Sequence, residues 1–304
     1  MRVVLHHFLL LSIGLSLSNC IQTESSEGTN GAPDSVALLS DSLATDQIMS
    51  LLGEPLPPKA FEGTERMRRE RMLARAKEQY EQNPDSLESI IWYGRRLAHL
   101  GRYSEAITVY SDGLTRHPDS HKLLRHRGEA LITARAFDQA MHDLENAAFF
   151  SLMEENEKEL AVSGAGANKP IRNIRFSIWY HLGLAYYLRG NFDKAISAYK
   201  KSLTESDNDD LRVATLAWLY RTYIRIGNQA EADALLEDVS PNMRLVENRD
   251  YLNILLLFKK ELSPERLYEL ASRRDNSLDP TVGYGLANYY ALQGEIQTAS
   301  ETFD

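Results

Sequence analysis

The chain has 304 residues, 43% of them hydrophobic and 25% charged, an ordinary globular composition with enough apolar surface for a sizeable core. A formal net charge of −9 excludes a general nucleic-acid binder, which needs a basic face to replace phosphate counterions. The single cysteine, Cys20, excludes an intrachain disulfide and any cysteine-based metal centre.

Residues 1–19 read as a secretory signal peptide. Arg2 precedes an apolar run from Phe8 to Leu17 that is too short for a comfortable membrane span. Leu17-Ser18-Asn19-Cys20 resembles the lipobox of bacterial lipoproteins, with Asn19 where Gly or Ala is usual. That resemblance implies acylation of Cys20 and an outer-membrane lipoprotein of the cell envelope, facing the periplasm or the surface. The alternative is an ordinary signal peptide with an incidental cysteine, which leaves a soluble periplasmic protein. Residues 20–62 read as an acidic flexible tether: Glu24, Glu27, Asp34, Asp41, Asp46, Glu54 and Glu62 face one base, Lys59, and prolines cluster at 55, 57 and 58. Within it, Val36–Leu52 has the apolar spacing of a short helix.

From residue 63 to 304 the chain repeats. Thr64–Asn83 is expected to be a capping helix, placed at 63–83, with its Glu65–Arg71 charge run on the solvated side. Gly94 and Gly128 lie 34 residues apart inside similar stretches. A third copy holds Trp179, Leu182, Gly183, Tyr186, Ala195 and Tyr199. These six residue types at these offsets resemble the tetratricopeptide repeat. The spacing itself has a physical reading: Trp179, Leu182 and Tyr186 share one helix face, and the small Gly183 and Ala195 let two helices approach closely. Gly190 ends the first helix, and Asn191 and Asp193 offer caps for the second. The small position of each second helix falls at Ala106, Ala140, Ala195, Ala232, Leu267 and Ala299. The later copies place Leu216, Leu219 and Tyr223, then Tyr251, Ile254 and Phe258, then Leu286, Tyr290 and Phe303 in the core, with Tyr220 where Gly is usual. The fold expected is an all-α, right-handed superhelix of about six helical hairpins. The chain stops within the sixth second helix, so the stack is expected to continue beyond Asp304 or to be covered by a partner.

Between the second and third copies the interval grows to 55 residues, from Ala140 to Ala195, which places an insertion loop near 155–175. Gly164-Ala165-Gly166 is read as flexible chain, since no Gly-Lys-Ser/Thr follows it. Insertions in solenoids often border the ligand.

The resemblance implies that first helices line a concave groove. One outward position recurs as Trp92, His126, His181 and Trp218, with Arg95, His99, Lys122, Arg125, Tyr180, Arg221 and Arg225 beside it and Glu88 and Glu129 as acidic companions. A basic and aromatic groove suits an extended peptide with acidic and apolar groups. Substituting Arg125 or Arg221 is expected to weaken binding while sparing stability. The family's clamp for chaperone C-termini is not matched, because Ile91 and Arg95 stand where it needs Lys and Asn. No cofactor or metal is expected, and no catalytic residue: His117 and His121 are separated by Pro118, His126, His181 and Glu129 make at most a thin ligand set, and Asp209-Asp210 is read as a solvated loop pair. The function expected is a non-catalytic scaffold holding a peptide segment of an envelope protein; the alternative is a small-molecule or lipid-binding subunit in which the 155–175 loop closes over the groove.

Overall fold

The computed structural model describes residues 48, 49, 55, 61–160, 170–272 and 279–302. The signal peptide, Cys20, most of the tether, Gly164–Gly166 and Phe303 lie outside the described residues. Of the helix expected at Val36–Leu52, Met49 is described, and it forms an isolated antiparallel bridge with Pro55.

The described chain is an all-α solenoid. Helix α1 (Gly63–Gln82) precedes six helical hairpins. These are α2 (Leu87–His99) with α3 (Tyr103–Arg116), α4 (His121–Thr133) with α5 (Phe137–Ser151), and α6 (Ile174–Leu188) with α7 (Phe192–Thr204). Then follow α8 (Asp209–Arg225) with α9 (Gln229–Leu236), α10 (Arg249–Phe258) with α11 (Pro264–Ala271), and α12 (Pro280–Leu292) with α13 (Ile296–Glu301). Strands β1 (Lys158–Leu160) and β2 (Pro170–Asn173) form an antiparallel ribbon between α5 and α6.

One local device builds every hairpin. A residue with positive φ ends each first helix: Gly101, Arg135, Gly190, Gly227, Lys260 and Gly294. The next N–H donates back five positions at all six turns, from Arg102 to Leu97 and from Asn191 to Tyr186, for example, which is the Schellman closure. Asn191 occupies the N-cap position of α7 but its side chain makes no cap bond. Side-chain caps appear at the starts of first helices, where Ser86, Ser120, Asn173, Asn208 and Asp279 accept an N–H, and at two second helices, where Asn228 and Ser263 do so.

Packing follows the small positions. Ala106, Ala140, Ala195, Ala232, Leu267 and Ala299 are all fully buried. A Cβ at Gly94 would stand 2.3 Å from the Tyr110 ring, and one at Gly183 would stand 2.6 Å from the Tyr199 ring, so the paired aromatics are seated where only glycine leaves room. Tyr220, where a small residue is usual, packs its ring 4.6 Å from that of Phe258. Buried residues run as one cluster from Leu73 to Leu256, and Phe258 and Leu262 link it to the cluster of α10–α12. In α1, Leu73 and Ala76 are buried, while Arg66, Arg68 and Arg69 pair with Glu65 and Glu70 within the helix. Arg69 also donates to the His99 carbonyl at 2.7 Å.

First helices touch one another in order along the stack, α2 to α4 to α6 to α8 to α10 to α12. The second helices make no comparable contacts among the described residues. The inner layer is therefore the closer packed, and the stack curves with the first helices on its inside.

Candidate functional site

The inner face divides into two halves. In the first, built by α2 and α4, the insertion has returned and lies on the groove. Its extended run is held residue by residue: Lys122 Nζ pairs with Glu157 at 2.7 Å, Arg125 pairs with Glu159, and Arg95 Nη2 donates to the Leu160 carbonyl at 2.6 Å. Lys158 pairs with Asp207, and Asn156 donates to Glu205 at 2.9 Å. On the second strand of the ribbon Arg172 pairs with Glu247 at 3.2 Å. The described parts of the insertion thus form a β-ribbon across the first helices; the expected flexible Gly164–Gly166 lies outside the described residues. Period-two pairing of Lys158 with Asn173 and Glu159 with Arg172 orders it.

Arg125 is not a free groove cation. It is 4% exposed, Nη1 contacts Glu129 Oε2 at 2.9 Å, and Nη2 contacts Glu159. Burial works against its charge, but Glu159 and Glu129 outweigh that and raise its pKa. His126 is equally buried, stacks 5.8 Å from Tyr110 and lies 3.5 Å from Glu159. Burial, then Arg125, pushes its pKa well down, so it stays neutral. His99 falls to about 4 through burial and the neighbouring Arg69 and Arg96. His181 is lowered chiefly by burial, with Glu129 opposing, and its Nδ1 lies 2.7 Å from the Ser177 carbonyl. Burial alone would raise Glu129, yet His181 and Arg125 hold it near 2. Arg95 is lowered by burial and by Arg125. Beneath the ribbon a cavity of about 280 Å³ remains, lined by Arg95, His99, Tyr103, Arg125, Glu129 and Glu159 among others. Among the described residues no three His, Cys, Asp or Glu side chains are placed to hold a metal.

The second half is built by α6, α8, α10 and α12, and it is aromatic. Arg221 lies over three rings: Trp218 at 5.0 Å, Tyr284 at 5.1 Å and Tyr251 at 6.0 Å. Tyr180 OH and Tyr251 OH are 3.4 Å apart, Tyr187 OH and Tyr284 OH are 3.2 Å apart, and Trp218 Nε1 donates to Tyr251 OH at 3.3 Å. Arg221 is 4% exposed, and its Nε and Nη2 have no hydrogen-bond acceptor among the described residues; the same holds for the buried Tyr199 hydroxyl. Burial raises the Tyr199 pKa well above its ordinary value, and the Arg221 charge opposes that. Arg225 is exposed and lies 5.9 Å from the Phe192 ring.

Trp92 with Arg95 and Trp218 with Arg221 are one pair repeated at the same register, guanidinium over indole at 4.6 and 5.0 Å. The sequence singled out both pairs but missed their neighbours: Glu159, Leu160 and Arg172 on the ribbon, and Tyr187, Tyr199, Tyr251 and Tyr284 around Arg221. Glu159 left a signal, an acidic insertion facing a basic groove; the tyrosines left none, since each also fits a core position.

The Tetratricopeptide repeat family matches residues 87–130 and again residues 176–209. The chain carries tetratricopeptide repeats. Among curated proteins it is similar to the TPR repeat-containing protein MJ1428 of Methanocaldococcus jannaschii, 22% identical over 241 residues, covering 68% of this chain and 40% of that one. It is also similar to BBSome complex member BBS4 of Bos taurus, 25% identical over 138 residues, covering 45% of this chain and 22% of that one. The chain therefore spans less than half the length of these two relatives. A solved structure of MamA from Desulfovibrio magneticus shares 21% identity with it at a TM-score of 0.44, covering 57% of this chain and 84% of that one. Aspartates at the start of α8 complete the tetratricopeptide-repeat scaffold. Asp210 is 3% exposed and accepts the N–H groups of Val246, Glu247 and Asn248 at 2.7–2.9 Å. The expectation of a solvated pair fails because this carboxylate anchors the long connection into α10.

Proposed function

We propose that this protein is a non-catalytic interaction scaffold whose inner face grips an extended acidic segment of a partner protein. One observation carries the reading. The chain's own Glu157–Leu160 run already lies extended on the first half of the groove, held through two carboxylates and a backbone carbonyl. The second half offers the same Trp–Arg pair to an outside chain. Tetratricopeptide repeats support a protein-interaction role, and one relative is described as a member of a complex. Fold likeness alone does not name the partner. The lipobox-like Leu17–Cys20 supports attachment of this scaffold to the cell envelope through acyl chains on Cys20.

A peptide array probed with residues 20–304 tests the scaffold. Acidic peptides with apolar neighbours bind, and Trp218→Ala weakens them about tenfold, in keeping with a central aromatic contact. Binding to no peptide would sink the reading. Anchoring is tested by acyl labelling, which Cys20→Ala abolishes; persistent labelling removes the lipid assignment.

The 280 Å³ cavity under the ribbon favours a second reading, in which the ribbon closes over a small polar ligand. Native mass spectrometry of the purified chain distinguishes the two, since a bound small molecule together with a silent peptide array reverses the ranking.

A further inference from the structure

Arg221 is buried, and two of its guanidinium nitrogens have no acceptor among the described residues. Its unpartnered atoms are Nε and Nη2, the side edge of the guanidinium, whose two parallel N–H groups match the two oxygens of one carboxylate. The rings of Trp218, Tyr251 and Tyr284 attract the positive charge through their faces but accept none of its in-plane hydrogen bonds. A donor left unsatisfied in a buried site is costly, and a charged one more so. Tyr199, also buried, has an unpartnered hydroxyl and feels the Arg221 charge. The molecule shows how such a group is completed. Arg125, as deeply buried, receives Glu129 and Glu159 on its two Nη atoms while its Nε stays unpartnered, and the sister pair Trp92–Arg95 receives the Leu160 carbonyl of an extended strand.

We propose that Arg221, through its Nε–Nη2 edge, is a recognition site for a carboxylate carried on an extended segment of a protein partner. The proposal rests on the scaffold reading and names its ligand chemistry. Glu159 on Arg125 Nη2 is the internal example of a carboxylate on a buried guanidinium. The site lies outside the half of the groove that the ribbon occupies, so both can be filled together.

The test follows the Nε–H resonance of Arg221 by nuclear magnetic resonance in the full mature chain, with Arg221→Lys to assign it. The probes are acetate, inorganic phosphate, the amidated peptide Glu-Lys-Glu-Leu taken from residues 157–160, and its Gln-Lys-Gln-Leu counterpart. Acetate and the Glu peptide give a saturable shift, the Gln peptide gives none, and phosphate saturates only at higher concentration. No carboxylate shift, an equal shift from the Gln peptide, or tighter binding of phosphate overturns the proposal. If the array binds peptides while Arg221 is silent, this site is wrong and the scaffold stands. If Arg221 binds acetate and no peptide binds anywhere, the carboxylate subsite stands and the scaffold falls.

Discussion

The two Trp–Arg pairs on the inner face share a register and differ in company. Around Arg95 and Arg125 the protein supplies its own acceptors: the ribbon gives the Leu160 carbonyl to Arg95 and Glu159 to Arg125, and α4 adds Glu129 to Arg125. Around Arg221 it supplies aromatic rings and hydroxyl groups, and the guanidinium edge is left open. A buried arginine is thus held by carboxylates in one half, and in the other it is the group proposed above to receive one from a partner. What separates them is an insertion long enough to return to α2 and α4, which widens the interval between small positions from 34 residues to the 55 between Ala140 and Ala195.

The contrast is broken most directly at the two arginines. Arg125→Met strands Glu159, which is 11% exposed, and is expected to lower unfolding free energy by about 3–5 kcal/mol in a denaturant titration. This reverses the expectation, drawn from sequence, that Arg125 is dispensable for stability. A loss below about 1 kcal/mol would mean the ribbon is not held there.

Acid sharpens the contrast next. His99, His126 and His181 all belong to the first half and its border, and burial lowers all three. Below about pH 6.5 the unfolded chain takes up protons that these folded sites refuse, so stability falls with pH, down to about 4 for His99. Hydrogen exchange at pH 5 against pH 7.5 should show protection lost first in α2, α4 and α6. Uniform loss along the stack would argue against the asymmetry.

Arg221→Met has the opposite sign to Arg125→Met. Replacing a buried, unmatched charge by an apolar chain is expected to leave stability unchanged or raise it by up to about 2 kcal/mol, since lost ring contacts offset part of the gain. A loss above about 2 kcal/mol would make Arg221 structural. The smallest effect is a control away from both halves. Arg135 carries φ 66° at a turn where four of the six hairpins use glycine, so Arg135→Gly should gain about 1 kcal/mol in thermal unfolding.

Much of the fold was legible because the repeat is local. Gly183 and Ala195 specify close approach within one hairpin, Gly190 specifies the turn, and neither depends on distant chain. The groove residues were legible as a list and not as a site. Trp92, Arg95, Lys122, Arg125 and His126 look outward when one helix is considered, and the ribbon that covers them comes from residues 30 or more positions away. Arg221 was visible, but its isolation depends on Tyr284, 63 positions later, filling the space with a ring instead of a carboxylate.

The sequence by itself determined the helical hairpins, their number, the small contacts that seat them and the basic, aromatic character of the first helices, because each is set by spacing within one repeat. Only the tertiary structure decided which of those cations are already matched. That depends on where an insertion without a repeat pattern comes to rest, and a buried charge is satisfied or left open by whichever groups the stacked helices and the ribbon bring to it.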